Sequence, residues 1–528
     1  MILIRDLRLA PGEKEAKLKT LAAKALGVAA PDLTELKIVK KSLDARRKGG
    51  VHWLYAVAVR CRGNEGELLR RAGGKTCGKY DPFVYAIPRA VAPERPVVAG
   101  FGPAGMFAAL VLAEAGLRPI VLERGADVDE RREKVERFWR GEGFDTHTNV
   151  QFGEGGAGLF SDGKLATNTH DERIAWVLET LYRFGAPECV RYDARPHVGT
   201  DVLAGVVKRI RRHIVSLGGE VRTGAKLTGL TRTDGRVSAA GVETEKGNYS
   251  LPCRDLVLAV GHSARDTFDT LHALGVPMEP KPFSMGVRIE HRQRDISLAQ
   301  YGEADYLKLP AADYRLHCRL PDGRGVYTFC MCPGGYVVAA SSESGGVVSN
   351  GMSYSGRAGE NANAAVLVTL TPADFPNSGV LSGMYWQREI ERRAFVYGGG
   401  NYFAPAQTVG DFLAGRGSTG PAGIEPTYRP GVAWGDLREV LPEKITGALA
   451  AAIPLLGRKL KGFDAPEAVL TAPETRSSCP VRILRGEDLR SPWGGFFPCG
   501  EGAGYAGGIT SAAVDGMRCA EAIVRQYQ

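Results

Sequence analysis

Residues 97–125 read VVAGFGPAGMFAALVLAEAGLRPIVLERG, and the fold is organised around this stretch. The pattern predicts a short apolar strand, a glycine turn, an amphipathic helix and a second strand that ends in an acidic residue. Gly100, Gly102 and Gly105 form G-x-G-x-x-G, and Glu123 follows Gly100 by 23 residues. Such glycines allow a tight turn, the approach of a pyrophosphate and close packing of helix on sheet, so we predict a dinucleotide site.

The start of the predicted helix suits phosphate groups. Its unpaired N–H groups and the positive end of its dipole favour negative charge, and Pro103 stands where a missing N–H does least harm. Glu123 is expected to accept hydrogen bonds from ribose hydroxyls. An ordinary strand-turn-helix is the alternative interpretation, because a glycine triplet alone is weak evidence.

The length of 528 residues indicates two to four domains, and 44% hydrophobic with 24% charged residues is typical of a soluble globular protein. No apolar run reaches the roughly 20 residues that span a bilayer, and the N-terminus does not resemble a secretory signal. These features predict a cytoplasmic protein without a membrane span. Ten cysteines without a CxxC pair or zinc-like spacing predict reduced thiols and no metal site.

The net charge of +9 is concentrated near the N-terminus, where residues 1–96 hold twenty Lys and Arg against ten Asp and Glu. A solvated basic face is the simpler interpretation. The alternative is a docking surface for an acidic protein, a redox partner or nucleic acid, of which we consider nucleic acid the weaker prediction.

Two later segments are rich in glycine. Residues 153–163 hold five glycines and lead into Lys164, so they cannot form a packed helix or a central strand. They suit close backbone approach to a flat or phosphorylated ligand, and a flexible surface loop is the alternative. Residues 494–509 predict a strand, an acidic glycine loop with Glu501, and the start of a last helix.

Four segments together carry a family resemblance: VVAGFGPAG…VLERG (97–125), NVQFGEGGAGLFSDGKL (149–165), LVLAVGHSARD (256–266) and FFPCGEGAGYAGGITSAAVDG (496–516). They resemble the glutathione-reductase-like and HI0933-like FAD superfamily. More closely, the chain is similar to bacterial FAD-dependent dehydrogenases of largely unassigned substrate. The chain differs from the usual pattern in having Glu501 where Asp is commoner and Val260 where many relatives carry Thr.

The resemblance implies FAD as cofactor. The pyrophosphate would lie at the first glycine turn and the adenosine ribose at Glu123, while the 161–164 stretch would approach the isoalloxazine or the pyrophosphate. Glu501 would accept from a ribityl hydroxyl, and the last helix would point its positive end at the flavin. The predicted cofactor residues are Gly100, Gly102, Pro103, Ala104, Gly105, Glu123, Arg124, Ser161, Gly163, Lys164, Gly261, Gly500, Glu501, Gly508 and Ile509.

The expected fold class is α/β, a Rossmann-like FAD-binding domain with an inserted mixed, β-rich substrate domain and a small N-terminal α+β domain. We place the basic N-terminal domain at residues 1–92 and the first part of the FAD-binding domain at 93–280. The inserted substrate or cap domain follows at 281–404. The second part of the FAD-binding domain takes 405–528.

The catalytic residues are less evident, because a flavin carries hydride chemistry itself. Candidates are Lys164, Arg476 and Cys499, although Arg476 is equally consistent with a surface arginine. Cys330 and Cys332 would point to one face of a strand, which allows a redox dithiol. Buried small hydrophobic residues are the simpler interpretation of that pair.

These observations predict an FAD-dependent oxidoreductase that acts on an organic small molecule by hydride transfer. The sequence lacks a second complete dinucleotide unit and a CxxxxC pair, so NAD(P)H would act only as a transient electron donor. The donor would otherwise be a protein or the substrate itself. The alternatives are a flavoprotein that acts on or binds nucleic acid, and an NAD-dependent dehydrogenase without flavin.

Overall fold

The computed structural model describes residues 1–46, 50–74, 76–303 and 307–528. The N-terminal part contains, in chain order, β1 (Ile2–Leu9), α1 (Lys17–Leu26), β2 (Leu33–Asp44), β3 (His52–Cys61), α2 (Glu65–Ala72) and β4 (Cys77–Lys79). Its sheet has the order β2-β3-β1-β4. The apolar face of α1 packs on β1 and β3 in a core of its own, and α1 ends at Gly27, whose φ of 65° suits a glycine cap.

The next part contains residues 97–125. Its elements are β5 (Val97–Ala99), α3 (Pro103–Glu114), β6 (Ile120–Leu122), α4 (Val128–Trp139), α5 (Arg173–Arg183), α6 (Thr200–Ser216), β7 (Glu220–Arg222), β8 (Lys226–Thr233), β9 (Arg236–Thr244), β10 (Gly247–Pro252), β11 (Leu256–Leu258), α7 (Arg265–Ala273) and β12 (Met278–Pro280).

The remaining part is richer in strands. Its elements are β13 (Phe283–Arg292), α8 (Gln293–Tyr301), β14 (His317–Arg319), β15 (Gly325–Cys332), β16 (Tyr336–Ala339), β17 (Ser349–Met352), β18 (Asn361–Leu370), α9 (Ser382–Tyr397), β19 (Ala404–Thr408), α10 (Val409–Ala414), β20 (Val432–Trp434), α11 (Glu443–Gly457), β21 (Val469–Glu474), β22 (Val481–Ile483), β23 (Phe496–Pro498) and α12 (Ile509–Val524).

A five-stranded parallel sheet of order β23-β11-β5-β6-β7 forms the centre of the molecule. The resembling segment at residues 256–266 begins with β11, which lies between β5 and β23 in this sheet and pairs with both. The chain is therefore mixed α/β with a parallel sheet, as predicted. Because all five strands run the same way, the turns after β5, β11 and β23 meet at one edge.

Helix α3 differs from the amphipathic helix that the sequence predicts. It is buried from Ala104 to Ala113, because α12 covers the side that would otherwise face solvent. Helices α3 and α12 approach closely, because a side chain at Gly516 of α12 would overlap the carbonyl oxygen of Ala104 in α3. A side chain at Gly105 would overlap the carbonyl oxygen of Gly100 in the preceding turn. Gly105 thus serves the packing of helix against turn.

A second sheet of seven strands, of order β14-β15-β18-β13-β21-β19-β20, holds most of residues 283–474. The boundary that we predicted between residues 404 and 405 does not coincide with a change of sheet. Strand β19 crosses it, and β20 and β21 follow it, yet all three belong to the seven-stranded sheet. The chain rejoins the parallel sheet only at β23. The short apolar runs of β19 and β21 give no sign of which sheet they enter, because pairing partners are distant in sequence.

Among the residues that the structure describes, we find no helix that combines the length and apolar character needed to cross a lipid bilayer.

Candidate functional site

A cavity of about 860 Å³ lies at the edge of the parallel sheet where β5, β11 and β23 end. The turn from β5 into α3 lines one part of it, the 151–164 segment lines another, and the start of α12 lines a third. The seven-stranded sheet contributes residues 328–331 of β15 as a further wall. The cavity therefore lies at the interface between the two large sheets.

The glycine-rich segment contacts the beginnings of both helices. A Cβ on Gly156, whose φ is 63°, would lie 2.8 Å from the Gly102 Cα, and a Cβ on Gly158 would lie 3.0 Å from the Ile509 Cγ1. Side chains at these two positions would push the loop away from the helix starts. The segment is thus packed, which agrees with the ligand-approach interpretation and disfavours a flexible surface loop.

Glu123 organises the backbone around the first glycine turn. Its carboxylate accepts hydrogen bonds from the amides of Phe101 (2.8 Å), Gly125 (2.9 Å) and Gly153 (3.0 Å), and the residue is 5% exposed. It joins the end of β6 to the turn and to the glycine-rich segment. From the sequence we expected Glu123 to bind only a ribose, and its hydrogen bonds to these amides are an additional role.

Arg131 of α4 is a residue that the sequence analysis missed. Its fully buried guanidinium donates to four carbonyl oxygens, those of Asn149 (2.9 Å), Val150 (2.9 Å), Gly153 (3.1 Å) and Glu154 (2.8 Å). Burial lowers its pKa to about 10. The run ERREKVER around it reads as a solvated helix face, so periodicity alone gives no signal for one inward arginine.

Most of the predicted cofactor residues line the cavity. Three do not: Gly105 packs against the turn, Gly163 lies against Gly199, and the Gly500 amide donates to Asp515 at 2.7 Å. Those that do line it are Gly100, Gly102, Pro103, Ala104, Glu123, Arg124, Ser161, Lys164, Gly261, Glu501, Gly508 and Ile509.

Glu501 and His262 form a polar pair in the cavity wall, with 3.6 Å between the His262 Nδ1 and the Glu501 Oε1. Burial raises the pKa of Glu501 to about 7, and burial with the nearby Arg476 and Arg265 lowers that of His262 to about 3. His262 is therefore neutral at pH 7, whereas Glu501 exchanges its proton in that range. Among the described residues, the buried Nε2 of His262 has no hydrogen-bond partner.

This raised pKa predicts a pH dependence of stability. Folded Glu501 keeps its proton up to about pH 7, whereas an unfolded glutamate loses it near about 4.3. The stabilising contribution is therefore complete below about pH 4 and is lost as pH rises towards 7. We expect Glu501→Gln to remove this slope and to be more stable than wild type at pH 8 by about 2 kcal/mol, after allowance for partial exposure.

Urea unfolding of the cofactor-free protein between pH 4.5 and 8 measures this slope. Glu487→Gln, at an exposed position, is the matched control and should track wild type. Equal slopes in wild type and Glu501→Gln would show that Glu501 titrates normally.

Arg476 belongs to a buried ionic network. Arg476 and Arg265 both bond to Glu391, with N–O distances of 2.7 to 3.0 Å, and Arg476 also donates to Ser342. Although burial alone would raise the pKa of Glu391, the two guanidiniums hold it well below its ordinary value. Arg476 lines the cavity, but Glu391 neutralises its charge. The residue is buried, so it is not a surface arginine, and these contacts favour a structural role.

Cys499, Asp515 and Cys519 are buried, and their ligand atoms lie within 4.8 Å of one another, so they could hold a metal ion. However, Arg485 donates to both oxygens of Asp515, at 2.6 and 3.0 Å, and places a cation there. A hydrogen bond with Cys519, together with burial, raises the pKa of Cys499 well above its ordinary value. The cluster positions the Gly500 turn and leaves Cys499 as a poor nucleophile.

Lys164 lies 3.8 Å from Asp162 at the cavity wall, and its side chain is 31% exposed. Asp162 also pairs with Arg357 from the loop after β17, with the Arg357 Nε 3.0 Å from the Asp162 Oδ1. Lys164 thus stays accessible from the cavity, and the Asp162–Arg357 pair joins the glycine-rich segment to the strand-rich part.

Two comparisons identify relatives. Residues 282–477 match the family model "FAD-dependent protein, C-terminal domain-like", and residues 1–60 match a domain of unknown function. An uncharacterized protein of Clostridium beijerinckii is 46% identical over 532 residues, which cover 100% of this chain and 99% of the relative. The whole chain belongs to one family with this Clostridium beijerinckii protein, and its residues 282–477 match the FAD-dependent C-terminal domain. The match with this relative runs over the full length of the chain, from the N-terminal part to α12.

Solved structures give weaker similarity. The flavin-dependent brominase Bmp2 has a TM-score of 0.38 and 12% identity, covering 82% of this chain and 79% of that one. A geranylgeranyl bacteriochlorophyll reductase-like protein of Thermoplasma acidophilum has a TM-score of 0.35 and 12% identity, covering 83% and 80%. TM-scores below 0.5 do not establish a common arrangement.

The residues of the cavity fit FAD. The glycine cradle of Gly102 and Gly156 would be filled by a Cβ, the first turns of α3 and α12 supply unpaired N–H groups, and His262, whose buried Nε2 has no partner among the described residues, lines the same space. This combination of phosphate-binding backbone and separate polar groups suits an extended dinucleotide.

Proposed function

We propose that the chain is an FAD-dependent oxidoreductase that acts on an organic small molecule by hydride transfer. One observation carries the proposal: the glycine-rich segment contacts the N-termini of α3 and α12 along a single cavity. Two helix starts joined in this way offer separate places for a pyrophosphate and for the charge that gathers on a reduced flavin.

The adenosine half of FAD would lie at the β5–α3 turn. Gly100 and Gly102 leave the backbone open to the pyrophosphate, and the carboxylate lone pairs of Glu123 that its amides leave free would accept from the ribose. Arg124, which donates to Asp266 at 2.8 Å and lies 4.3 Å from the centre of the Phe152 ring, would border this half. The prediction of NAD without flavin is disfavoured, because the family is FAD-dependent.

The reactive half would lie between α12 and the β15 wall. Bound FAD supplies the two-electron chemistry, and the chain's groups position it and handle protons. The N-terminus of α12 would stabilise negative charge, Glu501 would hold or release a proton near pH 7, and neutral His262 lies 3.6 Å from Glu501. Strand β15, from the seven-stranded sheet, would form the substrate side.

The experiment is anaerobic reduction of the purified protein, followed by identification of the released cofactor by mass. We expect a yellow protein that releases one FAD per chain. Bleaching by NADH or NADPH would assign a nicotinamide donor, and absence of bleaching would assign the electrons to a protein or to the substrate. A colourless protein that does not take up added FAD would overturn the proposal.

A further inference from the structure

Cys330 and Cys332 lie at the end of β15, and Cys330 lines the cavity. The register between β15 and β18 shifts between Phe329 and Cys332, and Cys330 has a φ of 43°. This left-handed residue breaks the regular strand and bends the chain so that the two thiols meet. The Cys332 Sγ lies 3.2 Å from the Cys330 carbonyl oxygen and within hydrogen-bonding reach of the Cys330 thiol.

The two thiols differ in access. Cys332 is fully buried, whereas Cys330 is half-buried and lines the cavity. An incoming molecule therefore meets Cys330 first, and Cys332 stands behind it. An accessible thiol with a second thiol beside it can reduce a disulfide by two successive exchanges, in which the second thiol resolves the mixed disulfide.

Arg288 forms a hydrogen bond with the backbone of Cys330. Its buried guanidinium donates to the Cys330 carbonyl at 2.9 Å and to the carboxylate of Glu474 at 2.7 and 3.1 Å. Lys164 adds positive charge from the cavity side, and Asp162 adds negative charge. The hydrogen bond from Cys332, with Arg288 and Lys164, holds the pKa of Cys330 below its ordinary value despite burial.

Three other buried thiols have raised pKa values. Burial and the neighbouring Cys330 raise the pKa of Cys332, and burial raises that of Cys253 and of Cys479. Cys330 thus combines a cavity position, a nearby thiol and a favoured thiolate. Of the two interpretations of the C-x-C pair, the geometry favours reactive thiols over small hydrophobic residues.

We propose that Cys330 and Cys332 form a redox-active dithiol that reduces a low-molecular-weight disulfide. The Cys330 thiolate attacks one sulfur of the disulfide, its S–S bond breaks, and one thiolate leaves with the electron pair. Cys332 then loses its proton to that leaving thiolate and attacks the Cys330 sulfur, which forms the Cys330–Cys332 bond and releases the second thiolate. The substrate gains two electrons from the pair and one proton from Cys332, and the second leaving thiolate takes any further proton from solvent.

Return of the pair to the dithiol needs two electrons and two protons. In the holoenzyme these would come from the reduced flavin, and only this part of the inference rests on the proposed function. The exchange itself is a property of the chain and is measurable without turnover.

The test uses the holoprotein with dithiobis(nitrobenzoate) as the probe disulfide at pH 6. We expect wild type to release two coloured thiolates per chain in a fast phase and to gain a Cys330–Cys332 disulfide, seen by peptide mass as the loss of two hydrogens. The Cys332→Ser variant should release one coloured thiolate per chain and keep the other half of the probe bound to Cys330 as a mixed disulfide. The Cys330→Ser variant should lose the fast phase, so that its thiols react with the probe roughly tenfold more slowly than Cys330 does in wild type.

Cys318→Ser, on the half-buried Cys318 of β14, is the matched control and should keep the fast phase. A fast phase that persists in Cys330→Ser, or an adduct on Cys330 that Cys332 never resolves in wild type, would overturn the inference. If a variant does not fold, alkylation of wild type at pH 6 decides, because Cys330 should be modified before the other cysteines. Flavin content, measured in the same samples, tests the proposed function separately.

Discussion

Gly102→Asp is expected to abolish FAD binding while the protein stays folded. Gly102 has a φ of −76° and a ψ of −175°, which any residue adopts, and a Cβ there would lie 3.5 Å from the Gly156 Cα, an ordinary contact. Gly102 is also the N-cap of α3, a position that Asp favours. The fold should therefore tolerate the change.

The loss of binding follows from charge. The new carboxylate would occupy the helix N-terminus that we assign to the pyrophosphate, and two unit charges 4 Å apart repel by about 4 kcal/mol at an effective dielectric constant of 20. With allowance for screening, we expect affinity for FAD to fall by at least roughly 100-fold. Equilibrium titration of the cofactor-free variant with FAD measures this.

Gly447→Asp is the matched control. Gly447 is exposed on α11, away from the cavity, and has no atom within 4 Å of an added Cβ. It should retain wild-type affinity. Retention of FAD by a folded Gly102→Asp would show that the cofactor does not contact the β5–α3 turn.

Arg131→Met is expected to destabilise the protein and to release FAD together. Methionine keeps much of the arginine stem but leaves four carbonyl oxygens of the 149–154 segment without their donor. Each unsatisfied buried polar group costs about 1–3 kcal/mol, and relief of guanidinium burial offsets part of this. We expect a net loss of about 3–5 kcal/mol in the free energy of unfolding.

Urea unfolding and flavin content measure the two effects. Arg132→Met, at the next and exposed position of α4, should change stability by less than about 0.5 kcal/mol and keep its flavin. If Arg131→Met were as stable as Arg132→Met, the glycine-rich segment would be held by other contacts.

The sequence could predict the elements that local rules determine. Residues 97–125 form β5, α3 and β6 because strand, glycine turn and helix follow one another without long-range help. The last helix runs over Ile509–Val524 as predicted, since its start after Gly508 is also a local signal. Burial of α3 on all sides could not be predicted, because α12, which covers it, lies about 400 residues later in the chain.

The roles of Arg131 and Cys330 could not be predicted from the sequence, because they depend on contacts that form only in the folded chain. Arg131 points inward only because four carbonyl groups of a distant loop need its donors. Cys330 meets Cys332 only because the strand bulges, and regular alternation cannot predict a bulge. Strand β21 joins the second sheet through β13, which lies more than a hundred residues earlier, and β19 joins it by pairing with β21, so our predicted boundary at residue 405 lies within that sheet.

The central claim is that FAD lies along the cavity from the β5–α3 turn to the start of α12. A crystal structure of the holoprotein tests it most directly. We predict density for the pyrophosphate beside Gly102, the adenosine ribose near Glu123 and the flavin ring on the side of Glu501 and Cys330. Density for FAD outside this cavity, or with the flavin ring at Glu123, would contradict the account.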